Sequence, residues 1–390
     1  MNRLVRALDA AWRDPAQIAS WWEDASRVDP ALIRARERGA FWEALGETGG
    51  MLLITREYEH LVLALRLGPD GPETSYLPVP HPSGLVVDHV KCVVHVASTR
   101  NPNQLLTLAP GSLPRIRSDA RLPSSFGRPL LPSRSRFLPG CLYLHDLALV
   151  GGTLVGNAVG ENAVVRLDGD GSPRVWWPRC IETPSGPLFS RNVLQLNSVA
   201  AGPDLASSFF TASTATPSSR RPGHRNFAVD RRGVLFSGAT REPVAFGLTR
   251  PHSARFHRRR VWANDSGYGT VGPVEEGRLE PVARLPGWTR GLCFRGRVAF
   301  VGTSRVLPRF TGYAPGLEPE RSVCGVHAID TRDGRVLGSL LWPEGNQIFA
   351  VEWANASLAS GLPFRGGGRR PSRRDRDLFY AVEPGRAHDR

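Results

Sequence analysis

The chain has 390 residues, enough for one large domain or two ordinary ones, and its 41% hydrophobic content is typical of a globular protein with a sizeable core. Its 41 glycines and 33 prolines favour many turns and short strands over long helices. A net charge of +14 usually indicates an anionic partner, but Lys91 is the only lysine. An arginine-rich, nearly lysine-free composition is more typical of a GC-rich genome, so we predict no nucleic-acid partner.

The N-terminal stretch lacks the apolar core and cleavage site of a signal peptide, and no stretch is apolar for long enough to cross a bilayer. We therefore expect a cytoplasmic protein with no membrane partner. The five cysteines are scattered and form no CxxC pair, which argues against a zinc knuckle or a thioredoxin-like motif. We interpret them as buried thiols in a reducing compartment.

Residues 1–46 are predicted to form a helical segment. Apolar residues in "NRLVRALDAAW" share one helical face, and "DPALIRARERGAFWEALGE" predicts a second amphipathic helix. The inward positions are predicted to be Leu4, Leu8, Ala11 and Trp12 in the first helix, and Leu32, Ile33, Phe41, Trp42 and Leu45 in the second. We expect this segment to pack as a cap on the main domain, with a helix pair that binds a partner as the alternative.

From Met51 onward the hydrophobic period becomes that of strands. "MLLITREYEHLVLALRL" predicts two strands with a turn at Arg56 and Glu57. Six later units then repeat a polar residue, an apolar strand, a tight turn and a second strand. Their pitch of roughly 40 to 60 residues is typical of propeller blades.

The predicted fold is all-β: a six-bladed β-propeller over residues 47–362 with an N-terminal helical cap. The last unit shows only its inner strand, so the strands from Met51 are predicted to complete that blade and close the ring. A β-sandwich with a helical segment is the alternative. Residues 363–390 are predicted to be a flexible basic tail, and Ser213 to Asn226 a Ser/Pro/Arg loop.

Aligning the six units places one polar position at the start of each inner strand, where a propeller opens at one channel mouth. These positions are Ser83, His145, Asn197, His252, Arg290 and approximately Gln347 or Ile348. Residues from different blades that converge on one axis can form a site from distant parts of the chain. Asp146 and Glu352 are predicted to be carboxylates close to this ring.

Three residues are assigned the chemical roles. His145 and His252 are candidates for metal ligand or general base, and Arg290 is the candidate for binding an anion. Asn197, Ser83, Asp146 and Glu352 are predicted to bind or orient a ligand. Two histidines with a carboxylate can hold a divalent metal, whereas two histidines with an arginine can bind an anionic ligand without one. A solvated channel lining without function is the simpler interpretation.

The remaining motifs are weaker indications of a functional site. "GYGTVG" and "GGG" resemble phosphate-binding loops but lack the strand, helix and lysine that such loops need. His257 and Arg258 to Arg260 are predicted to form a solvated hairpin rather than a nucleic-acid patch. No G-x-S-x-G, H-E-x-x-H or P-loop motif occurs in the sequence.

Six further segments form a recognisable set: the Pro-His-Ser segment at Pro251, "PGWTRGL", "VGTS" and "CGVHAIDTRDG", with "LHDLAL" and "LNSVA" further upstream. Together they resemble an uncharacterised bacterial family, domain of unknown function 4915. The resemblance covers roughly Met51 to Leu362 and implies a propeller-like fold without an established activity. We therefore expect a propeller with a small-molecule or peptide site at the channel mouth, with a metal as one option. The alternative is a non-catalytic scaffold for a protein partner.

Overall fold

The structure is a computed structural model that describes residues 2–13, 25–100, 102–112, 127–218 and 227–365. Three helices and one strand of the N-terminal part lie wholly within the described residues. They are α1 (Arg3–Arg13), α2 (Pro30–Ile33), β1 (Arg36–Gly39) and α3 (Phe41–Gly46).

Six antiparallel sheets follow, each a blade of a β-propeller. The strands that precede blade 1 in the chain are β2 (Gly50–Arg56), β3 (Leu61–Gly68) and β4 (Gly71–Pro78). Blade 1 consists of β5 (Pro82–Asp88), β6 (Val93–Ser98), β7 (Asn103–Pro110) and β8 (Leu130–Leu138). Blade 2 consists of β9 (Leu144–Val150), β10 (Thr153–Ala158), β11 (Ala163–Arg166) and β12 (Arg174–Trp176). Blade 3 consists of β13 (Leu196–Ala200), β14 (Phe209–Ala212), β15 (Gly233–Ser237) and β16 (Pro243–Leu248).

The remaining blades recruit extra strands. Blade 4 consists of β17 (Pro251–His257), β18 (Arg260–Asp265), β19 (Thr270–Glu275), β20 (Arg278–Leu279) and β21 (Ala283–Arg284). Blade 5 consists of β22 (Trp288–Arg295), β23 (Val298–Ser304), β24 (Gly325–Asp330) and β25 (Val336–Leu341), with β1 on its outer edge. Blade 6 consists of β26 (Ala350–Asn355), then β2, β3 and β4, and finally β27 (Phe364–Arg365).

The predicted six-bladed propeller and its closure are confirmed. The C-terminal strand β26 is the inner strand of blade 6 and pairs with β2, from Thr55 opposite Ala350 to Gly50 opposite Asn355. Thr55 extends this contact to the next blade, because its hydroxyl donates to the backbone oxygen of Ser83 at 2.6 Å and accepts from the amide of Ala350 at 3.0 Å. Closure thus removes the exposed sheet edge that an open array of blades would leave.

The core lies between the blades. Every residue of β2 is buried, because this strand has sheet neighbours on both sides and packs against adjacent blades on both faces. The largest apolar cluster joins blades 5, 6 and 1 and includes Phe41, Met51, Leu85 and Phe300. Among the described residues, no helix is both long enough and apolar enough to cross a membrane.

The predicted second helix is wrong as a continuous element. It is interrupted by β1, which pairs with β25 from Arg36 opposite Leu341 to Gly39 opposite Gly338. The outer edge of blade 5 offers unpaired backbone groups, and pairing with them outweighs the helical pattern of this stretch. Gly39 permits the change of direction into α3 with a φ of +69°.

Most of the inward positions predicted there are nevertheless buried. Phe41, Trp42, Leu45 and Ile33 are in the core, and Leu32 is half-buried against it. The first helix differs, because Leu4 and Leu8 are 63% and 52% exposed. The described part of the chain therefore does not bury the predicted inner face at these positions of α1, and the side chains of Ala11 and Trp12 lie outside the described residues.

The predicted boundaries shift at both ends. β1 and α3 pack on blade 5, so residues 36–46 are part of the propeller rather than of a separate segment. At the other end, Phe364 is buried in β27, which pairs with β4. The rest of the predicted basic tail, residues 366–390, and residues 219–226 of the predicted loop lie outside the described residues.

Closure makes the packing of blade 6 decisive for the stability of the whole ring. Leu65 in β3 is fully buried, whereas Leu67 in the same strand is 41% exposed. We expect Leu65→Ala to lower the free energy of unfolding by about 2–5 kcal/mol, because it leaves a cavity in the closing blade. The matched variant Leu67→Ala should cost under about 1 kcal/mol. Urea unfolding measures both, and equal losses would contradict this account of the closing blade.

Candidate functional site

A cavity of about 950 Å³ opens at one mouth of the channel. Its walls come from the first residues of the inner strands and from neighbouring loops, and they include Arg100, His145, His252, Arg290 and Phe349. These residues belong to or border blades 1, 2, 4, 5 and 6, so the cavity sits over the propeller axis.

The predicted polar ring is brought together only in part. His145, His252, Arg290 and Gln347 line the cavity. Ser83 is fully buried outside this lining, where its hydroxyl donates to the backbone oxygen of Leu144 at 2.7 Å. That bond joins blades 1 and 2, so Ser83 has a structural contact where a ligand contact was predicted.

Strand irregularities set the direction of several ring side chains. The pairing register shifts between Pro82 and Leu85, between His252 and Arg255, and between Thr289 and Leu292. An extra residue in one strand bends it and changes which way its side chains point. A simple alternation of inward and outward positions therefore does not describe the start of these inner strands.

Arg290 and His145 meet across the channel. The guanidinium donates from Nη2 to Nδ1 of His145 at 3.3 Å and stacks over the ring of Phe349, 3.3 Å from its centroid. His145 is in blade 2 and Arg290 is in the opposite blade 5, so the contact spans the axis. Burial lowers the pKa of Arg290 to about 10, which leaves it charged at neutral pH.

The pKa of His145 lies well below its usual value. Burial is the main cause, and the charges of Arg290, Arg250 and Arg100 act in the same direction. A side-chain hydrogen bond with Asn197 acts in the opposite direction and raises the pKa. Asn197 lies outside the cavity lining. Its side-chain amide donates to the backbone oxygen of Pro251 at 3.0 Å and so helps to position the strand that carries His252.

His252 is 3% exposed and also faces the cavity. Its Nδ1 lies 2.7 Å from the backbone oxygen of Arg250 and 3.0 Å from the hydroxyl of Ser266. Burial, with the charges of Arg290 and Arg250, lowers its pKa well below the usual range. Both predicted histidines are therefore neutral at physiological pH.

Arg250 is the cavity residue that the sequence alignment missed. It is 8% exposed, and its guanidinium lies over the ring of Tyr313, 4.9 Å from the centroid. Among the described residues, its Nε and Nη1 have no hydrogen-bond partner. Burial lowers its pKa to about 10. The aligned unit began one residue later, at Pro251, so Arg250 was left out of the predicted ring. A charged residue directly before an inner strand was the feature of the sequence that could have identified it.

The lining is strongly basic. It contains six arginines and two glutamates: Arg100, Arg191, Arg250, Arg290, Arg305, Arg309, Glu57 and Glu161. Both glutamates have basic neighbours, since Glu57 lies 3.6 Å from Arg100 and Glu161 lies 2.6 Å from Arg174. The cavity therefore presents positive charge in excess to whatever enters it.

The carboxylates predicted to complete a metal or ligand site are engaged elsewhere. Asp146 and Glu352 flank the guanidinium of Arg255 at 2.8 and 3.0 Å. Within the described ranges, no group of three or more His, Cys, Asp and Glu side chains is placed to hold a metal ion. The positive lining also disfavours a cation between the two histidines, so the site favours the anion-binding option.

These three residues form a second layer, which we call the axial ion triplet: Asp146, Arg255 and Glu352. They come from β9, β17 and β26, the inner strands of alternate blades 2, 4 and 6, which can meet only at the axis. Each lies further along its inner strand than the cavity residues, so the triplet forms the floor beneath them. Sequence reasoning missed Arg255, whose signal was a charge within an apolar inner strand.

The other predictions near the site have mixed outcomes. Arg258 and Arg259 form the tip of the predicted hairpin with φ of +48° and +64°, and His257 stacks on Phe294 at 4.3 Å. All five cysteines are free thiols, but only Cys293 and Cys324 are buried, while Cys92 and Cys141 are exposed. The prediction of buried thiols is therefore wrong for the last two.

The axial ion triplet predicts a pH-dependent effect on stability. Burial is the main cause that raises the pKa of Glu352 from 4.5 to about 7, so its charged form is disfavoured in the folded state. The contribution of this group to stability should fall as the pH rises from about 4.5 to about 7. Glu352→Gln cannot ionise, so its unfolding free energy relative to wild type should increase by about 3 kcal/mol across that window and then level off.

Urea unfolding at pH 4.5, 6 and 8 measures this difference, with the exposed Glu280→Gln as the control for the same chemical change. A constant difference would contradict the prediction. It would mean that Arg255 outweighs burial and keeps Glu352 ionised throughout.

Comparison with solved structures supports the fold and no more. The chain is similar to a structure described as "Crystal structure of Nidogen/Laminin Complex", with a TM-score of 0.52, 13% identity, and coverage of 78% of this chain and 98% of that chain. It also resembles a gluconolactonase from Xanthomonas campestris with a TM-score of 0.43, 15% identity, and coverage of 76% of this chain and 86% of that chain.

Comparison with curated proteins gives no significant match. One family does match, over residues 39–359 of the 390, and its description is a domain of unknown function. The match spans all six blades and begins at Gly39, where β1 ends on blade 5. The chain therefore belongs to the DUF4915 family, whose fold here is a six-bladed β-propeller.

Proposed function

We propose that the cavity at the channel mouth binds a small organic anion through a carboxylate or phosphate group. The observation that carries this proposal is the buried guanidinium of Arg250, whose Nε and Nη1 have no hydrogen-bond partner in the part of the chain that is described. Burial removes water from this charge, and its contacts with the rings of Tyr313 and Trp288 supply no hydrogen-bond acceptor. A bound oxyanion would supply a charge-assisted hydrogen bond to the guanidinium.

Arg290 supports the same ligand chemistry. It is held by stacking on Phe349 and by its contact with His145, and neither of these neutralises its charge. A planar guanidinium matches the two oxygens of a carboxylate or phosphate, and its weaker hydration suits a buried position better than a lysine would. Two such groups in one cavity favour an anion with two acidic groups or one group that bridges them.

Aromatic side chains indicate that the ligand also has an apolar or planar part. Trp288, Phe310 and Phe349 line the same cavity. The Trp288 ring centroid lies 6.1 Å from that of His252 and 6.0 Å from the guanidinium carbon of Arg250. Ligand sites commonly combine apolar walls with a few polar groups that fix orientation. A volume of about 950 Å³ accommodates a molecule the size of a typical metabolite.

Titration calorimetry at low ionic strength with inorganic phosphate, pyrophosphate and citrate tests this proposal. Arg250→Gln and Arg290→Gln should each weaken binding of the best of these anions by about 10- to 100-fold, the loss expected for one charged hydrogen-bonding group. Arg290→Lys should bind with intermediate affinity, because it keeps the charge and loses the planar fork.

Arg335→Gln is the matched control, because Arg335 has a 68% exposed side chain outside the cavity lining and should leave affinity unchanged. Failure of wild-type protein to bind any of the three anions would contradict the proposal. Equal losses in Arg335→Gln and Arg290→Gln would show that only the general positive charge of the chain is involved.

A further inference from the structure

The hydrogen bonds of His252 fix its tautomer. A backbone carbonyl can only accept, so Nδ1 must carry the hydrogen that is donated to the oxygen of Arg250 at 2.7 Å. The hydroxyl of Ser266 donates to the backbone oxygen of Thr289 at 2.6 Å, so towards His252 it also acts as an acceptor. The neutral ring therefore keeps its lone pair on Nε2.

The same contacts exclude a serine nucleophile at this position. A serine that attacks a substrate must give its proton to the neighbouring imidazole. Ser266 instead directs its proton to the Thr289 carbonyl, and His252 presents the Nδ1–H group to it. His252 is thus left as a base for a proton of the ligand itself.

His145 has the opposite tautomer. A guanidinium can only donate, so Nδ1 of His145 accepts from Arg290 and the ring hydrogen lies on Nε2. Burial, together with the surrounding arginine charges, lowers the pKa of His145 and keeps the ring neutral. A neutral imidazole N–H is a hydrogen-bond donor suited to an oxygen on which negative charge develops.

We propose that this cavity catalyses enolisation of a small anionic carbonyl compound, with Nε2 of His252 as the base, the N–H group of His145 as the donor to the enolate oxygen, and Arg250 and Arg290 as the anion-binding groups. The inference rests on the proposed anion binding and adds a reaction class to it. His252, His145 and both arginines line one cavity, which is the juxtaposition that the reaction needs.

The step balances without a further reactant. The bond between hydrogen and the carbon next to the carbonyl breaks, and the proton forms a bond to Nε2 of His252. The electron pair forms a carbon–carbon double bond, and the carbonyl pair moves to the oxygen, where His145 and the guanidinium charge stabilise it. Return of a proton from His252 to the same carbon re-forms the carbonyl compound and completes the exchange of a carbon-bound hydrogen with solvent.

Proton NMR in D2O tests the proposal with pyruvate, 2-oxoglutarate and dihydroxyacetone phosphate as probes. Wild-type protein should replace carbon-bound hydrogen by deuterium in at least one probe faster than buffer alone. His252→Gln should lower the enzymatic rate by about 100-fold or more while the probe still binds. His257→Gln, at the hairpin beyond the cavity lining, is the matched control and should exchange at the wild-type rate.

Binding of the same probes, measured by calorimetry, separates this inference from the proposed function. Binding without exchange in wild-type protein would overturn the enolisation and leave anion binding intact. Absence of both would overturn the two together. Exchange that survives in folded His252→Gln would also overturn the role of His252.

Chemical modification gives a test that needs no variant. An unprotonated imidazole nitrogen attacks diethyl pyrocarbonate and is ethoxycarbonylated. Mass spectrometry of native wild-type protein should therefore find His252 modified, and bound pyrophosphate or citrate should slow that modification. Because the pKa of His252 is lowered, its rate should change little between pH 6 and 8. An unreactive His252 in native protein that reacts after unfolding would show that Nε2 is not available, and the proposal would fail.

Discussion

The pairing of β26 with β2 is the contact on which the rest of the structure depends. Six blades packed in an arc would leave one blade without its inner strand, or with an edge whose backbone groups are unpaired. The chain avoids this by giving β26 to a blade whose other main strands come from residues 50–78. Because the ring is closed by hydrogen bonds between the two ends of the chain, the six inner strands are forced to share one axis.

Charged side chains on the inner strands are buried close together at this shared axis, and the axial ion triplet pairs their opposite charges. Charged side chains on inner strands lose water where the strands converge, and breaking a buried ion pair costs about 3–5 kcal/mol. Arg255 lies between Asp146 and Glu352, which leaves one carboxylate in excess; the raised pKa of Glu352 moves the triplet towards neutrality. The carboxylates of the triplet thus lie in the floor, while the cavity above it is lined by six arginines and only two glutamates.

Sequence reasoning could predict the features that repeat. A strand followed by a tight turn recurs six times in the sequence. The last repeat lacks its outer strands, and additional strands precede the first repeat. The number of strands therefore predicts that the two ends of the chain share one blade and close the ring. His145, His252 and Arg290 could also be predicted, because each lies within the first three residues of an inner strand. The direction of the Ser83 side chain could not be predicted in this way. It is set by a β-bulge and by the hydrogen bond to Leu144, and neither feature can be recognised in a single sequence. Strand β1 could not be predicted for a similar reason. Its residues have a helical hydrophobic pattern, and they form a strand because the outer edge of blade 5 is available for pairing.

The number of arginines in the chain did not identify the residues of the site, because most exposed arginines of the described residues lie outside the cavity lining. Several of these exposed arginines lie beside exposed carboxylates, as Arg321 does with Glu318 and Arg335 with Asp333. Such surface pairs contribute little and reveal little about function. Arg250 differs because it is buried over Tyr313 with unpaired donors, and a folded chain keeps that cost only where another gain offsets it. The burial of an unpaired charge, rather than the number of charges, therefore separates a binding group from a compositional background, and only a three-dimensional structure contains that quantity.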